Sequence, residues 1–236
     1  MPNADRQPRA AAANQRGLSR PPWSTVCVSM TDLEKRLESL TDELGKLGSP
    51  INRYLRPGRP EADVRAALEA LGLTAPAELV HWYGWHDGVD YATAAKVEGE
   101  GSSIEVFFSL TPLSLDEAVS LCRERRTSIR EIFGVDPPGP EADPFWRDPW
   151  FPILEGGDSL FAVDCTGDAP RETAPIWRVF SHPGPFETGI VADSLSALVE
   201  RMATEVRAGS LWWDEDSRSL QPREADEWRL AELGLY

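Results

Sequence analysis

Apolar residues recur at helical spacing in several parts of the chain, with polar residues between them. The first stripe consists of Leu33, Leu37, Leu40, Leu44 and Leu47. It predicts an amphipathic helix, and the spacing of Thr31 and Glu34 predicts a capping box at its start. We expect this helix to pack on its own domain. A helix that docks on a partner or a second copy is the alternative, although two heptads are short for a coiled coil.

Two more helices are predicted between residues 60 and 84. Pro60 begins the first, because proline is tolerated in a first helical turn, and Gly72 ends it. Pro76 begins the second, whose apolar face consists of Leu79, Trp82 and Tyr83. We expect Gly84 to end this helix in a left-handed conformation and Asp87-Gly88 to form the turn that follows.

The middle of the chain predicts a loop, a strand and a long helix, in that order. The glycine- and alanine-rich stretch Val89–Ser102 predicts a mobile loop, and Ile104–Leu110 has the composition of a strand that ends at Thr111-Pro112. Ser114 and Glu117 then form a second capping box at the start of a long helix. That helix carries a basic run of Arg123, Arg125 and Arg126. A solvated helix face is the simpler interpretation of this run, and a phosphate site is the alternative.

The C-terminal half predicts antiparallel strands and a last core helix. Phe151–Leu154 and Ser159–Cys165 flank a Gly-Gly turn and should pair as a hairpin. Pro175–Ser181 predicts a third strand, and Glu187–Ala192 predicts a short edge strand. Asp193 is the expected cap of a helix that ends at Gly209. The apolar face of that helix consists of Leu195, Leu198, Val199 and Met202.

Several stretches show no sustained periodicity. We expect residues 1–29 to be a disordered tail, Gly48–Pro57 to be a connector and the proline-rich Val135–Asp148 to be a loop. Residues 210–236 are a C-terminal extension, in which Pro222–Leu233 predicts a short helix.

The order of these motifs resembles the SUKH superfamily, which contains yeast cell-wall-synthesis regulators of the Smi/Knr type and many bacterial immunity proteins. The resemblance spans roughly residues 60 to 210. It rests on the segment Pro76–Gly88, on Phe107-Phe108-Ser109-Leu110, on Trp150-Phe151-Pro152-Ile153 with the hairpin that follows, and on the helix beginning Asp193-Ser194-Leu195. The chain departs from the family pattern in Ala75, where a leucine usually stands, and in the proline-rich insertion.

This resemblance implies a fold and a class of function. The fold would be α+β, a mostly antiparallel sheet with helices packed against it, in a single SUKH-like domain over residues 30–236. The function would be non-catalytic protein binding, in bacteria as an immunity protein that neutralises a cognate toxin by covering it. A regulatory scaffold of cell-wall synthesis is the alternative, and an enzyme of unrecognised class is the third.

The charge of the chain narrows the choice of partner. The net charge is −15, although the first 29 residues hold four arginines against one aspartate. Such a surface repels phosphate, which argues against nucleic acid and anionic membranes as partners. A basic protein is the charge-compatible partner. The acidity also has a simpler explanation, which is that it only keeps the protein in solution.

The distribution of cysteine indicates a reducing compartment. Cys27, Cys122 and Cys165 are far apart and form no Cys-x-x-Cys pair, which argues against a disulfide framework or a zinc site. The N-terminus lacks the apolar core that export requires, and we expect a cytoplasmic protein.

No motif for catalysis or cofactor binding is present in the sequence. His81, His86 and His182 have no metal-binding spacing, and phosphate- and dinucleotide-binding glycine motifs are absent. A cysteine nucleophile would need a base brought from a distant part of the chain. We therefore expect no catalytic residue, no metal and no cofactor.

Tryptophan is the strongest sign of a binding surface, because it dominates interface energetics. We expect Trp82, Trp150 and Trp177 to lie in the core, since they fall on apolar faces of predicted elements. The expected partner-binding residues follow the ends of two predicted helices. They are Trp85, Asp87, Trp212, Trp213, Asp214, Glu215 and Asp216.

Overall fold

The computed structural model describes residues 31–98, 110–134, 145–180, 189–214, 216, 219–227 and 230. The helices are α1 (Asp32–Leu47), α2 (Glu61–Glu69), α3 (Ala77–Trp85), α4 (Tyr91–Glu98), α5 (Leu115–Phe133) and α6 (Leu195–Ala208). The strands are β1 (Leu55–Pro57), β2 (His86–Val89), β3 (Thr111–Pro112), β4 (Trp150–Gly156), β5 (Ser159–Asp164), β6 (Ile176–Phe180), β7 (Gly189–Ala192), β8 (Leu211–Asp214) and β9 (Ser219–Pro222). The fold is α+β, as the resemblance implied.

A five-stranded antiparallel sheet in the order β3-β4-β5-β6-β7 forms the centre. The predicted hairpin is confirmed: β4 pairs with β5 through a two-residue turn in which Gly157 has a φ of 53°. The predicted third strand is β6, and the predicted edge strand is β7. Strand β4 is buried from Trp150 to Leu154, as expected of a strand covered on both faces.

Helix α1 packs on its own domain, as predicted. Its principal neighbours are α6 and α3, and its stripe from Leu33 to Leu44 is buried. The Thr31 hydroxyl accepts a hydrogen bond from Glu34 N, and the Glu34 carboxylate accepts one from Thr31 N. The same reciprocal capping box joins Ser114 and Glu117 at the start of α5, so both predicted helix starts are confirmed.

Two stretches predicted to be irregular contain regular structure. The expected mobile loop after Val89 begins with α4, where the Asp90 carboxylate accepts hydrogen bonds from the Thr93 backbone N–H and hydroxyl. These bonds also lower the pKa of Asp90. The expected connector contains β1, which pairs with β2. Here long-range pairing overrides weak local propensity.

Three further elements differ from their predictions. Thr111-Pro112 is strand β3 at the sheet edge, where a proline without an N–H is tolerated. Helix α6 is capped by the Ser194 hydroxyl, which accepts from Ala197 N, and not by Asp193. In the C-terminal extension, β8 and β9 pair as an antiparallel hairpin. Beyond it the structure describes a short 3₁₀ turn at Glu224–Asp226.

The remaining sequence predictions lie outside the described residues. They concern the tail 1–29, the strand residues 104–109, the loop residues 135–144, and residues 228, 229 and 231–233 of the helix predicted over Pro222–Leu233.

Candidate functional site

The two acidic residues of the signature segment, residues 76–88, each cap a long helix. The buried Glu78 carboxylate accepts hydrogen bonds from Leu195 N at 3.0 Å and from Ser196 N at 3.1 Å. These are donors of the first turn of α6, which lack intrahelical partners. A carboxylate there also complements the positive end of the helix dipole. Glu78 therefore belongs to the architecture that holds the candidate surfaces in place.

Asp87 does the same for α5. Its Oδ1 accepts a hydrogen bond from Leu115 N at 2.7 Å, and its Oδ2 lies 3.6 Å from Nη1 of Arg59. Asp87 is only 7 % exposed. The sequence analysis placed Asp87 among the partner-binding residues, because it follows the end of a predicted helix and carries a charge complementary to a basic partner. In the structure it lies inside β2 and serves the fold, so we remove it from the candidate surface.

Trp85 also lies closer to the core than its sequence position indicated. Helix α3 continues through Gly84 to Trp85, so Gly84 does not end it. The Trp85 ring is half-buried, with its centroid 6.4 Å from Trp82 and 4.5 Å from His86. Only part of this side chain is therefore available to a partner.

The hairpin β8–β9 presents the other residues that the sequence singled out. Trp212 is 42 % exposed, whereas Trp213 packs against the core and is half-buried. Alternate residues of a strand point to opposite faces, which explains the difference. Asp214 accepts a hydrogen bond from Asp216 N at 3.2 Å. Asp216 is exposed, and Glu215 lies outside the described residues.

A large groove runs beside the N-terminal half of α5, and we call it the acidic groove. It has a volume of about 740 Å³ and is bounded by α4, β3, α5 and β4. Its charged residues are Asp116, Glu117, Glu124, Arg125 and Glu155. Four carboxylates and one guanidinium thus line the groove. The Glu117 carboxylate also accepts the hydrogen bonds of the capping box, and Asp116 Oδ2 lies 3.9 Å from Arg59 Nη1. Glu124 and Glu155 are exposed, and the Asp116 side chain is 84 % exposed.

The sequence did not identify the acidic groove, because Glu155 approaches the other acids only through the pairing of β3 with β4. The signal on α5 itself was available: Glu117, Ser120, Leu121 and Glu124 share one face at helical spacing.

The basic run on α5 fits a solvated helix face only in part. Arg126 departs from this interpretation, since its guanidinium donates to the Leu71 carbonyl at 2.8 Å and its side chain is 14 % exposed.

The described thiols are unsuited to nucleophilic catalysis. Cys122 and Cys165 are both buried. Burial raises the pKa of Cys122 and raises the pKa of Cys165 to about 12. The thiolate is the reactive form of cysteine, and a high pKa suppresses it.

The described histidines are held at the edges of the core. The His86 Nδ1 lies 2.6 Å from the Arg56 carbonyl oxygen, and His81 lies 4.0 Å from Glu34. Among the residues that the structure describes, no three His, Cys, Asp or Glu side chains are placed to hold a metal ion together.

Comparison with known proteins decides the family. The sequence profile of the SMI1/KNR4 family (SUKH-1) matches residues 59–201, which is more than half of the chain. The chain belongs to the SMI1/KNR4 family. No curated protein sequence matches it.

The SMI1/KNR4 region contains the whole acidic groove, all of α5 and the first half of α6. Helix α1 and the hairpin β8–β9 lie outside this region. Within the part of the chain that the structure describes, none of the helices combines the length and the apolar character that a membrane span requires.

Proposed function

We propose that this member of the SMI1/KNR4 family is a non-catalytic immunity protein that binds a basic toxin and neutralises it by covering its surface. The observation that carries the proposal is the acidic groove, a concave surface lined by four carboxylates and one arginine. The groove lies in the part of the chain that matches the family.

The charge of the groove favours a basic partner in two ways. A cleft lined by charges of one sign focuses the electric field and speeds the encounter with an oppositely charged molecule. The whole chain adds to this effect, because its net charge is −15. Screening at physiological salt acts over about 8 Å, so association should be fast at low salt and slower at high salt.

The hairpin β8–β9 is a second candidate contact. Trp212 exposes 42 % of its surface, and Asp214 and Asp216 lie at the end of the same strand. A tryptophan that becomes desolvated in a complex chiefly lengthens the life of that complex. We therefore propose that the groove governs association and that Trp212 slows dissociation.

The test uses the product of the gene adjacent to the one encoding this chain. Its toxicity should be suppressed by coexpression of this chain, and the two purified proteins should form a complex. The double variant E124K/E155K should slow association roughly tenfold at low salt and flatten its salt dependence. The variant Trp212→Ala should mainly speed dissociation.

The matched control is E38K/D42K, which makes the same change of charge on the exposed face of α1. A control that slows association as much as the groove variant would show that only total charge matters. A stable partner from the cell-wall synthesis machinery would favour the regulatory scaffold instead. Recovery of nucleic acid or of an acidic protein alone would contradict the proposal.

A further inference from the structure

An apolar pocket opens beside the C-terminal half of α5. It has a volume of about 160 Å³, and its apolar lining consists of Ile129, Ile132, Phe133, Phe145 and Phe180. The rings of Phe133 and Phe145 lie 5.8 Å apart and form one wall. Ile132 is 72 % exposed. Removing the surface of an isoleucine side chain from water is favourable. The pocket therefore offers an apolar surface that a ligand can cover.

This apolar pocket adjoins the acidic groove. Arg125 lines both, and the two lie along one side of the same helix. Leu121, Glu124, Ser128 and Ile132 follow each other at helical spacing. The rise of an α-helix places Ile132 about 12 Å along the axis from Glu124. An extended segment covers this distance with about four residues.

We propose that the apolar pocket receives an apolar side chain of the basic partner, from a segment whose arginines or lysines lie in the acidic groove. Charge complementarity selects this occupant, because an apolar segment with acidic neighbours would be repelled by the four groove carboxylates. The inference rests on the proposed function and adds the chemistry of the segment recognised.

The mixed lining makes the surface selective. The acidic groove alone would attract any cation, and the apolar pocket alone would accept many apolar side chains. A segment that satisfies both must place a positive charge and an apolar side chain at a fixed separation. Linking two weak contacts in one ligand raises affinity, because the second contact forms within the complex.

The test uses three synthetic peptides and the full chain. The first peptide carries two arginines and, about four residues further on, a leucine. The second replaces the leucine by serine, and the third replaces both arginines by glutamine. Binding is followed by chemical-shift titration of the isotope-labelled protein. We expect the first peptide to bind at least about tenfold more tightly than either of the others.

Two exposed isoleucines provide a matched pair of variants. Ile132→Ser should lower the affinity for the first peptide to the value for the second peptide. It should leave the affinity for the second peptide unchanged. Ile190→Ser, at a position 53 % exposed on the edge strand β7, should change neither. Glu124→Gln should lower the affinity for both peptides that carry arginine and leave the affinity for the third peptide unchanged.

Three outcomes would overturn the inference. They are the absence of shifts at about 2 mM peptide, equal effects of the two isoleucine variants, and a change of oligomeric state in Ile132→Ser that identifies the pocket as a contact between copies. The proposed function is tested separately. A toxin that is neutralised equally by Ile132→Ser and by the natural chain contradicts the inference alone, and a peptide that binds where no toxin is neutralised contradicts the proposed function alone.

Discussion

The carboxylate of Glu78 lies 3.0 Å from the backbone nitrogen of Leu195, so a side chain of α3 caps a helix that begins 117 residues later. Asp87 caps α5 in the same way through Leu115 N. The signature segment thus binds the first turns of both long helices of the SMI1/KNR4 region. Its acidic residues are explained by helix capping without any contact to a partner.

Removal of the Glu78 carboxylate should strongly destabilise the protein. Glu78→Ala should lower the free energy of unfolding by about 2–4 kcal/mol, because each buried N–H left without a partner costs about 1–3 kcal/mol. Glu78→Gln keeps one acceptor and should lower it less. Urea unfolding measures both. The exposed Glu172 provides the control, and a Glu172→Gln variant as unstable as Glu78→Gln would contradict the capping role.

Three glycines should respond to alanine in opposite directions. Gly88 has a φ of 71°, and an added Cβ would lie 2.5 Å from Ser114 N. An added Cβ at Gly58 would lie 1.8 Å from the Gly84 carbonyl oxygen. Both substitutions should unfold the protein or strongly lower its melting temperature.

Gly84 itself lies inside α3 with no atom within 4 Å of an added Cβ. Gly84→Ala should therefore raise the free energy of unfolding by about 0.5–1 kcal/mol, because glycine is a poor helix former. Thermal melts of the three variants check the prediction. A destabilised Gly84→Ala would mean that this position needs the conformational freedom of glycine after all.

The loss of stability on replacing a tryptophan by alanine should follow how deeply that tryptophan is buried. Trp82 is 1 % exposed, and Trp82→Ala should lower the free energy of unfolding by about 3–5 kcal/mol. Trp212→Ala should change it by less than about 1 kcal/mol, as is usual at the surface. Trp213 packs against the core, so Trp213→Ala should fall between them. Equal shifts in all three would contradict the arrangement of β8.

Stability should fall at alkaline pH. Burial raises the pKa of Cys165 from 9.0 to about 12 and raises the pKa of Tyr83 well above 10.0. As pH rises, the unfolded state therefore loses these protons at a lower pH than the folded state does. The contribution of Cys165 is complete below about pH 9 and that of Tyr83 below about pH 10. Above its own limit, each contribution decreases by about 1.4 kcal/mol per pH unit.

Urea unfolding between about pH 8 and pH 10 measures this loss. Cys165→Ala removes one of the buried titrating groups. It should be less stable than the natural chain at neutral pH and show a shallower decrease with rising pH. A slope equal to that of the natural chain would show that Cys165 is not the titrating group.

The parts of the fold that sequence predicted correctly depend on short-range patterns. The capping boxes at Thr31 and Ser114 and the hairpin turn at Gly157 are each fixed within a few residues. Helix α4 was missed although Asp90 is a suitable cap, because the glycine- and alanine-rich stretch carries few apolar residues to define a face. Strand β1 was missed because its only evidence is its partner β2.

The sequence by itself determined the family, the α+β class, the acidic charge and the order of the main helices and strands. Only the tertiary structure decided where each acid lies relative to the helix ends and to the acidic groove. Asp87 and Asp116 both lie close to the start of α5, yet one caps that helix from within the fold and the other lines the acidic groove. Their roles depend on neighbours that are distant in sequence, since burial and charge pairing are fixed when α5 packs beside β4 and the signature segment.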